Sequence, residues 1–399
     1  MNNVTPPMWF SSPLWRQAFR PMFLFGASFS VLAMALWLSV LMGWFVWQPV
    51  GGPFFWHSHE MVFGFAGAIV VGFLLTAVQN WTGVRATQGG ALVLLTALWL
   101  VARVLMMVAP AWPWWLIAAI DVAFFVLAAW FFARILWAVK QQRNAFFVLI
   151  LLLWAGMNVL HHFGLARHNI AMQQWALYSA VWLITLVMAI VGGRIIPMFT
   201  ANGTLTPKVT AKLWLDRASL ASLWLLAALQ LTALNTHLPS MVLVLLHGVA
   251  ALLIGWRWVR WRIWITWRTP LLWSLHCAYG FIPLALLAFA AHYAGLAVSA
   301  SLALHALTVG AMGLLILAML ARISLGHSGR PLIPHPIMAW AFAALLLAAI
   351  SRTVMVGVFP QWTVFGWWVA ALLWCLGYGL YVGVYARILL TPRADGRDG

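Results

Sequence analysis

Acidic side chains are scarce in this chain. Five Asp and Glu stand against 22 Lys and Arg in 399 residues, and only 7% of the residues are charged. A water-soluble domain carries about 25% charged residues, so that class is excluded. Cysteine is as rare: Cys277 and Cys375 both fall in apolar stretches. Two such residues exclude a disulfide framework, and neither sits in the tight Cys/His cluster that a thiolate copper site needs. No Walker loop, nucleophile elbow or dinucleotide fingerprint is present. Gly192-Gly193-Arg194 is glycine-rich but follows no strand, which argues against a phosphate cradle. Residues 1–20 lack an apolar core followed by a small-residue cleavage site, so no cleavable leader is expected. Alternation of apolar and polar residues is missing as well, which excludes a membrane β-barrel.

What is present is apolar: 65% of the residues are hydrophobic. Runs of roughly 20 such residues recur along the whole length, the signature of membrane-spanning helices. The pattern predicts an all-α polytopic membrane protein with twelve spans, at 21–47, 58–80, 89–109, 112–138, 145–164, 172–198, 214–235, 238–258, 270–294, 298–324, 336–358 and 361–390. Linkers and charge runs are lacking, so residues 1–399 read as a single transmembrane domain. The net charge of +17 invites a nucleic-acid reading, but its distribution argues otherwise. With an internal amino terminus, 19 of the 22 basic residues fall inside, leaving Arg103, Arg167 and Arg352. That bias places both termini in the cytoplasm of a multi-pass protein. The Trp- and Arg-rich stretch 256–273 fits an interfacial belt against anionic lipid better than a nucleic-acid patch. Gly192, Gly193 and Pro197 are expected to break the sixth span at its inner end.

Depth sorts the twelve histidines. His57 and His59 open span two, His161 and His162 end span five, and His305 lies about two turns into span ten. These occupy one layer in the outer half of the membrane, and His276 lies nearer the inside. Ionisable groups inside a membrane are costly and usually functional. Neutral imidazole suits iron, copper and zinc, and haem iron accepts an axial histidine. On a helix, His57 and His59 point to different sides. Spans two and ten also share a pattern. Gly64, Gly67 and Gly83 follow His59 at offsets 5, 8 and 24, and Gly310, Gly313 and Gly329 follow His305 at the same offsets. His59 and His305 are therefore the candidates for axial ligands of a haem, with His57, His162 and His276 as further metal ligands. Arg103 and Arg352, basic residues inside spans in the outer half of the membrane, are candidates for haem propionates or for ion pairs with Glu60 and Asp121. Glu60 is the candidate proton carrier, and Asn158 could orient a ligand histidine.

The stretches LWRQAFRPMFL (14–24), WHSHEMVFGF (56–65), GFLLTAVQNWTG (72–83), GGRIIPMFT (192–200), LLWSLHCAYGFIPLAL (271–286), HALTVGAMG (305–313) and ARISLGHSGRPL (321–332) resemble the NnrS family. These are haem- and copper-containing membrane proteins of the bacterial nitric oxide response. The resemblance implies haem b and copper as cofactors, nitric oxide as ligand and the bacterial inner membrane as location. It points to nitric oxide reductase-like chemistry, with electrons from quinol or a periplasmic cytochrome. His161 departs from the family pattern, while His162 matches the motif histidine. The twelve spans with histidines on spans two and ten also echo haem–copper oxidases and nitric oxide reductases, but the adjacent-histidine motif on span seven is missing. A non-catalytic nitric oxide sensor and a membrane transporter are the alternatives.

Overall fold

The computed structural model describes residues 12–109 and 111–397. The start of the polar lead-in (1–11), Pro110 in the loop predicted near 110–113, and residues 398–399 lie outside the described residues. About 80% of the chain is helical, and no strand occurs among the described residues.

Twelve long helices match the predicted spans closely. They are α1 Phe19–Leu41, α2 Gly52–Thr82, α3 Gly89–Val108, α4 Trp114–Ala138, α5 Phe146–Ala166, α6 Ile170–Thr204, α7 Leu213–Leu231, α8 Ser240–Val259, α9 Pro270–Tyr293, α10 Ala300–Gly326, α11 Ile337–Val358 and α12 Thr363–Leu390. Eleven are long and apolar enough to cross a membrane. The exception is α7, for which sequence predicts a twelfth span. Asp216, Arg217, Ser219, Ser222 and Gln230 dilute its apolar content over 19 residues. It nevertheless packs along α8.

A second departure concerns Pro197. The helix does not break there: α6 continues through it to Thr204. Proline costs an interior helix one backbone bond, and packing against neighbouring protein makes this tolerable in membrane helices. The residue four positions back is Gly193, and the Arg257 guanidinium packs so closely over it that a Cβ there would collide with it.

The chain divides into two compact units. The first comprises Met1–Leu177, Arg322–Ile333 and Tyr381–Gly399, and the second Tyr178–Ala321 and Pro334–Leu380. In the first unit α2 is the most enclosed helix, with 89% of its apolar window buried. Gly26 and Gly72 let α1 and α2 approach, since a Cβ on Gly72 would stand 2.6 Å from the Met22 Cβ. In the second unit α9 packs along α8 and against α10.

Helices α2, α10 and α11 each contain a π-helical segment, at Glu60–Ala66, Ala306–Gly313 and Ser351–Met355. A π turn holds one extra residue, frees backbone groups and is frequent at functional sites. Aromatic donors meet a carbonyl in two of these segments: Trp99 Nε1 donates to Gly64 O at 2.9 Å, and the Tyr378 hydroxyl donates to Gly313 O at 2.7 Å. Both histidines singled out by the glycine offsets stand at the last residue before a π segment. Gly83 and Gly329, at the shared offset of 24, both adopt left-handed backbone at φ 72° and 71°. The sequence pattern is thus a repeated backbone device.

Beyond α12, the carboxy-terminal segment clasps the carboxy-terminal end of α10. Ala394 N donates to Ser328 O at 2.9 Å, Arg393 Nη1 donates to His327 O at 2.9 Å, and Arg393 grips Asp395 through both carboxylate oxygens. The Arg393 hydrogen bonds hold the Asp395 carboxyl at about 2, below its ordinary 3.8. A depressed carboxyl stabilises the folded state above its unfolded value and loses that contribution as pH falls through the folded one. Hydrogen-exchange protection factors at residues 391–397, which correct for the intrinsic pH dependence of exchange, are therefore expected to hold at pH 5 and to fall as pH drops from 4 through 2. Asp395→Asn should show the low protection already at neutral pH, and unchanged protection in that variant would contradict the clasp.

Candidate metal centre

Six polar groups from four helices meet inside the first unit. His59 and Glu60 come from α2, Arg103 from α3, Asp121 from α4, and Asn158 and His162 from α5 at one-turn spacing. All are buried, with His59, Glu60 and Asn158 at 0% exposure. The π turn that starts at Glu60 places two consecutive residues, His59 and Glu60, at the same cluster.

Arg103 ties the carboxylates together. Its Nη1 donates to Glu60 Oε1 at 2.5 Å, and its Nη2 pairs closely with Asp121 Oδ1. The other Asp121 oxygen, Oδ2, accepts from Asn158 Nδ2 at 2.7 Å and meets His162 Nε2 at 3.2 Å and His59 Nε2 at 3.1 Å. His59 Nε2 also meets Asn158 Oδ1 at 3.0 Å, and its Nδ1 meets Glu60 Oε1 at 3.0 Å. One ligand atom from each of His59, Asp121 and His162 lies within 4.8 Å of the others.

Two features show that this donor set suits a cation. Both nitrogens of His59 face oxygen acceptors, yet a neutral imidazole carries one N–H. A proton or a metal ion must complete the second contact. The charges agree, because one guanidinium stands against two buried carboxylates, and buried charge needs compensation. Two imidazoles and a carboxylate form an N₂O set that suits copper, iron and zinc. The Glu60 carboxylate on His59 Nδ1 is the outer partner that ligating histidines usually have.

His161 adds a further group. Its Nδ1 donates to Gln173 O at 3.0 Å, which leaves the lone pair on Nε2. That nitrogen is buried without a hydrogen-bond partner, as is Glu60 Oε2. The ring stacks on Phe55 at 4.5 Å and lies 5.6 Å from the His59 ring.

Gly64 makes room for the ion pair: a Cβ there would stand 2.6 Å from Arg103 Nη1 and 2.9 Å from Glu60 Oε2. Arg103 cannot swing aside without releasing both carboxylates. Gly64→Ala is therefore expected to destabilise by about 1–3 kcal/mol, the usual cost of overpacking. Thermal unfolding in detergent measures this, and a wild-type midpoint would contradict it.

The remaining candidates lie elsewhere. His57 stacks on Trp37 at 4.4 Å and is not part of the triad. In the second unit, His276 Nε2 meets Thr200 Oγ1 at 2.8 Å, and His276 joins no three-ligand group among the described residues. In the same unit, His305 Nδ1 donates to Ser301 O at 2.6 Å, and Arg352 Nη2 donates to His305 Nε2 at 3.3 Å. Sequence reasoning offered Asp121 only as an ion-pair partner for Arg103 or Arg352. Its place beside two histidines was not legible, although an acid in the middle of an apolar helix was the available signal.

The NnrS protein family matches residues 13–393, nearly the whole chain. The chain belongs to the NnrS family. No curated protein matches it. As an NnrS family member it is a membrane protein of the nitric oxide response. The stretch Trp56–Phe65, one of those that carried the resemblance, supplies His59 and Glu60 to the centre.

Proposed function

We propose that this NnrS protein binds copper at His59, Asp121 and His162, carries a haem on His305, and binds and reduces nitric oxide. The observation that supports the reading is the buried N₂O triad, whose charge and hydrogen bonds call for a cation at His59 Nε2. Haem is assigned to His305 because its Nδ1–H is fixed on a backbone carbonyl, and its Nε2 lone pair would exchange the 3.3 Å contact with Arg352 for the iron. In this reading His59 serves the copper, and its two nitrogens face oxygens of Glu60, Asn158 and Asp121.

Bound metals would supply a coordination site for a diatomic and a path for single electrons. The protein's own part is proton handling and exclusion of water. Reduction of two nitric oxide molecules to nitrous oxide and water consumes two electrons and two protons. Glu60 is suited to deliver protons: Oε1 is held by Arg103 and His59, while Oε2 is buried with no hydrogen-bond partner and can take one. Electrons would come from quinol or a periplasmic cytochrome. We place the protein in the bacterial inner membrane with both termini cytoplasmic, which requires α7 to cross.

The test is metal analysis and optical spectroscopy of purified protein, before and after nitric oxide, with His162→Ala and His305→Ala. Copper lost in the first and the b-type haem spectrum lost in the second are expected. Wild-type protein free of both groups would overturn the reading.

A further inference from the structure

The two units repeat one device with one difference. In each, a histidine precedes a π segment, glycines follow at offsets 5 and 8, and the next long helix supplies an arginine at the histidine's level: Arg103 on α3 and Arg352 on α11. In the first unit the arginine holds two carboxylates. In the second, Arg352 meets His305 Nε2 and lies over the Trp367 ring at 5.1 Å, and neither partner carries charge to balance it.

The chain cannot supply that charge from its described residues. It has five acids. Glu60 and Asp121 are bound to Arg103, Asp216 to Arg257, and Asp395 to Arg393. Asp398, next to the last residue, lies outside the described residues. Arg352 is part-buried within an apolar helix, and its guanidinium is directed onto an imidazole and an indole face. An arginine in a membrane span ordinarily pairs with an anion. A guanidinium fork suits planar oxyanions, which it binds through two parallel hydrogen bonds.

We propose that Arg352, positioned by its contact with His305, is the receptor for a carboxylate or small planar oxyanion that the described residues do not provide. The anion takes two donors of the fork, and Trp367 holds the guanidinium plane from the other face. The chemistry has two sources: a carboxylate side arm of a bound porphyrin, or a free anion such as nitrite. The site stands on the charge distribution and does not depend on the metal centre of the first unit.

The experiment uses purified full-length protein in detergent. Iron protoporphyrin IX and its dimethyl ester, which lacks free carboxylates, are titrated by the Soret band. Sodium nitrite is titrated separately by thermal shift and by calorimetry. If the porphyrin is the source, wild type binds the diacid about tenfold or more tightly than the ester, as expected for a charge-assisted pair, and Arg352→Met abolishes the difference. If the free anion is the source, nitrite stabilises wild type but not Arg352→Met. Arg352→Lys, which keeps the charge and loses the fork, should be intermediate in either arm. The ester comparison needs only wild-type protein, so it decides even if the variants do not fold. Equal affinity for diacid and ester, together with no nitrite effect on wild type, would overturn the proposal. Copper content in Arg352→Met should match wild type, which separates this site from the metal centre.

Discussion

Asp121→Ala should both empty the metal centre and destabilise the first unit more than any other single change. The carboxylate pairs with Arg103 through one oxygen and serves Asn158, His162 and His59 through the other. Its removal leaves Arg103 Nη2 and Asn158 Nδ2 buried without their acceptor and takes the only oxygen ligand from the triad. Breaking a buried pair by removing one partner costs about 3–5 kcal/mol. We expect copper below the detection limit of metal analysis and a clearly lowered unfolding midpoint. Asp121→Asn preserves shape and the Asn158 contact, so it should lose the copper while keeping more of the stability. If Asp121→Ala kept wild-type copper and midpoint, the assignment of this carboxylate would fall.

Arg103→Met is expected to be nearly as damaging, for the opposite reason. Two carboxylates, Glu60 and Asp121, would then share one apolar pocket without their common cation. The loss should again be about 3–5 kcal/mol. A double variant separates charge from packing. Arg103→Met combined with Glu60→Gln removes one charge of each sign and should recover about 0.5–3 kcal/mol of the loss as pairwise coupling. Unfolding of wild type, both single variants and the double variant completes the cycle. Additive losses would show that Arg103 acts through packing alone. Metal content gives a second readout. A cation bound at His59 becomes more favourable when the neighbouring guanidinium is gone, so copper should persist in Arg103→Met even as stability falls.

Much of the fold was legible because its signal is local. The apolar runs marked every long helix to within a few residues at most ends, including α7, where the polar residues near Asp216 already thin the signal. Pairing of Glu60 and Asp121 with a membrane arginine was also within reach of sequence, since only five acids exist; that both go to Arg103 and neither to Arg352 was not. Asn158 was recognised as a neighbour of His162, although its bridge from His59 to Asp121 was not. Continuity of α6 through Pro197 was missed. A proline rule reads one residue, whereas the surrounding packing decides whether the freed backbone is tolerated.

The candidate site was legible in part. His59 and His162 were singled out as ligands, but the grouping was different: the matched glycine offsets joined His59 to His305, and His57 went with His162. The identical offsets correspond to a repeated backbone device, a histidine followed by a π segment and a left-handed glycine.

By itself the sequence determined the class, the positions of the helices, the scarcity of counter-charge and the family. Each is a sum over residues or a pattern along the chain, and needs no knowledge of which helices touch. Only the tertiary structure decided that Asp121 stands between His59 and His162, and that Arg103 holds two carboxylates while Arg352 meets none among the described residues. The physical reason is direction. A π turn adds one residue and so rotates the remainder of its helix by about 100° relative to a regular one, and helix packing then selects which side chains meet.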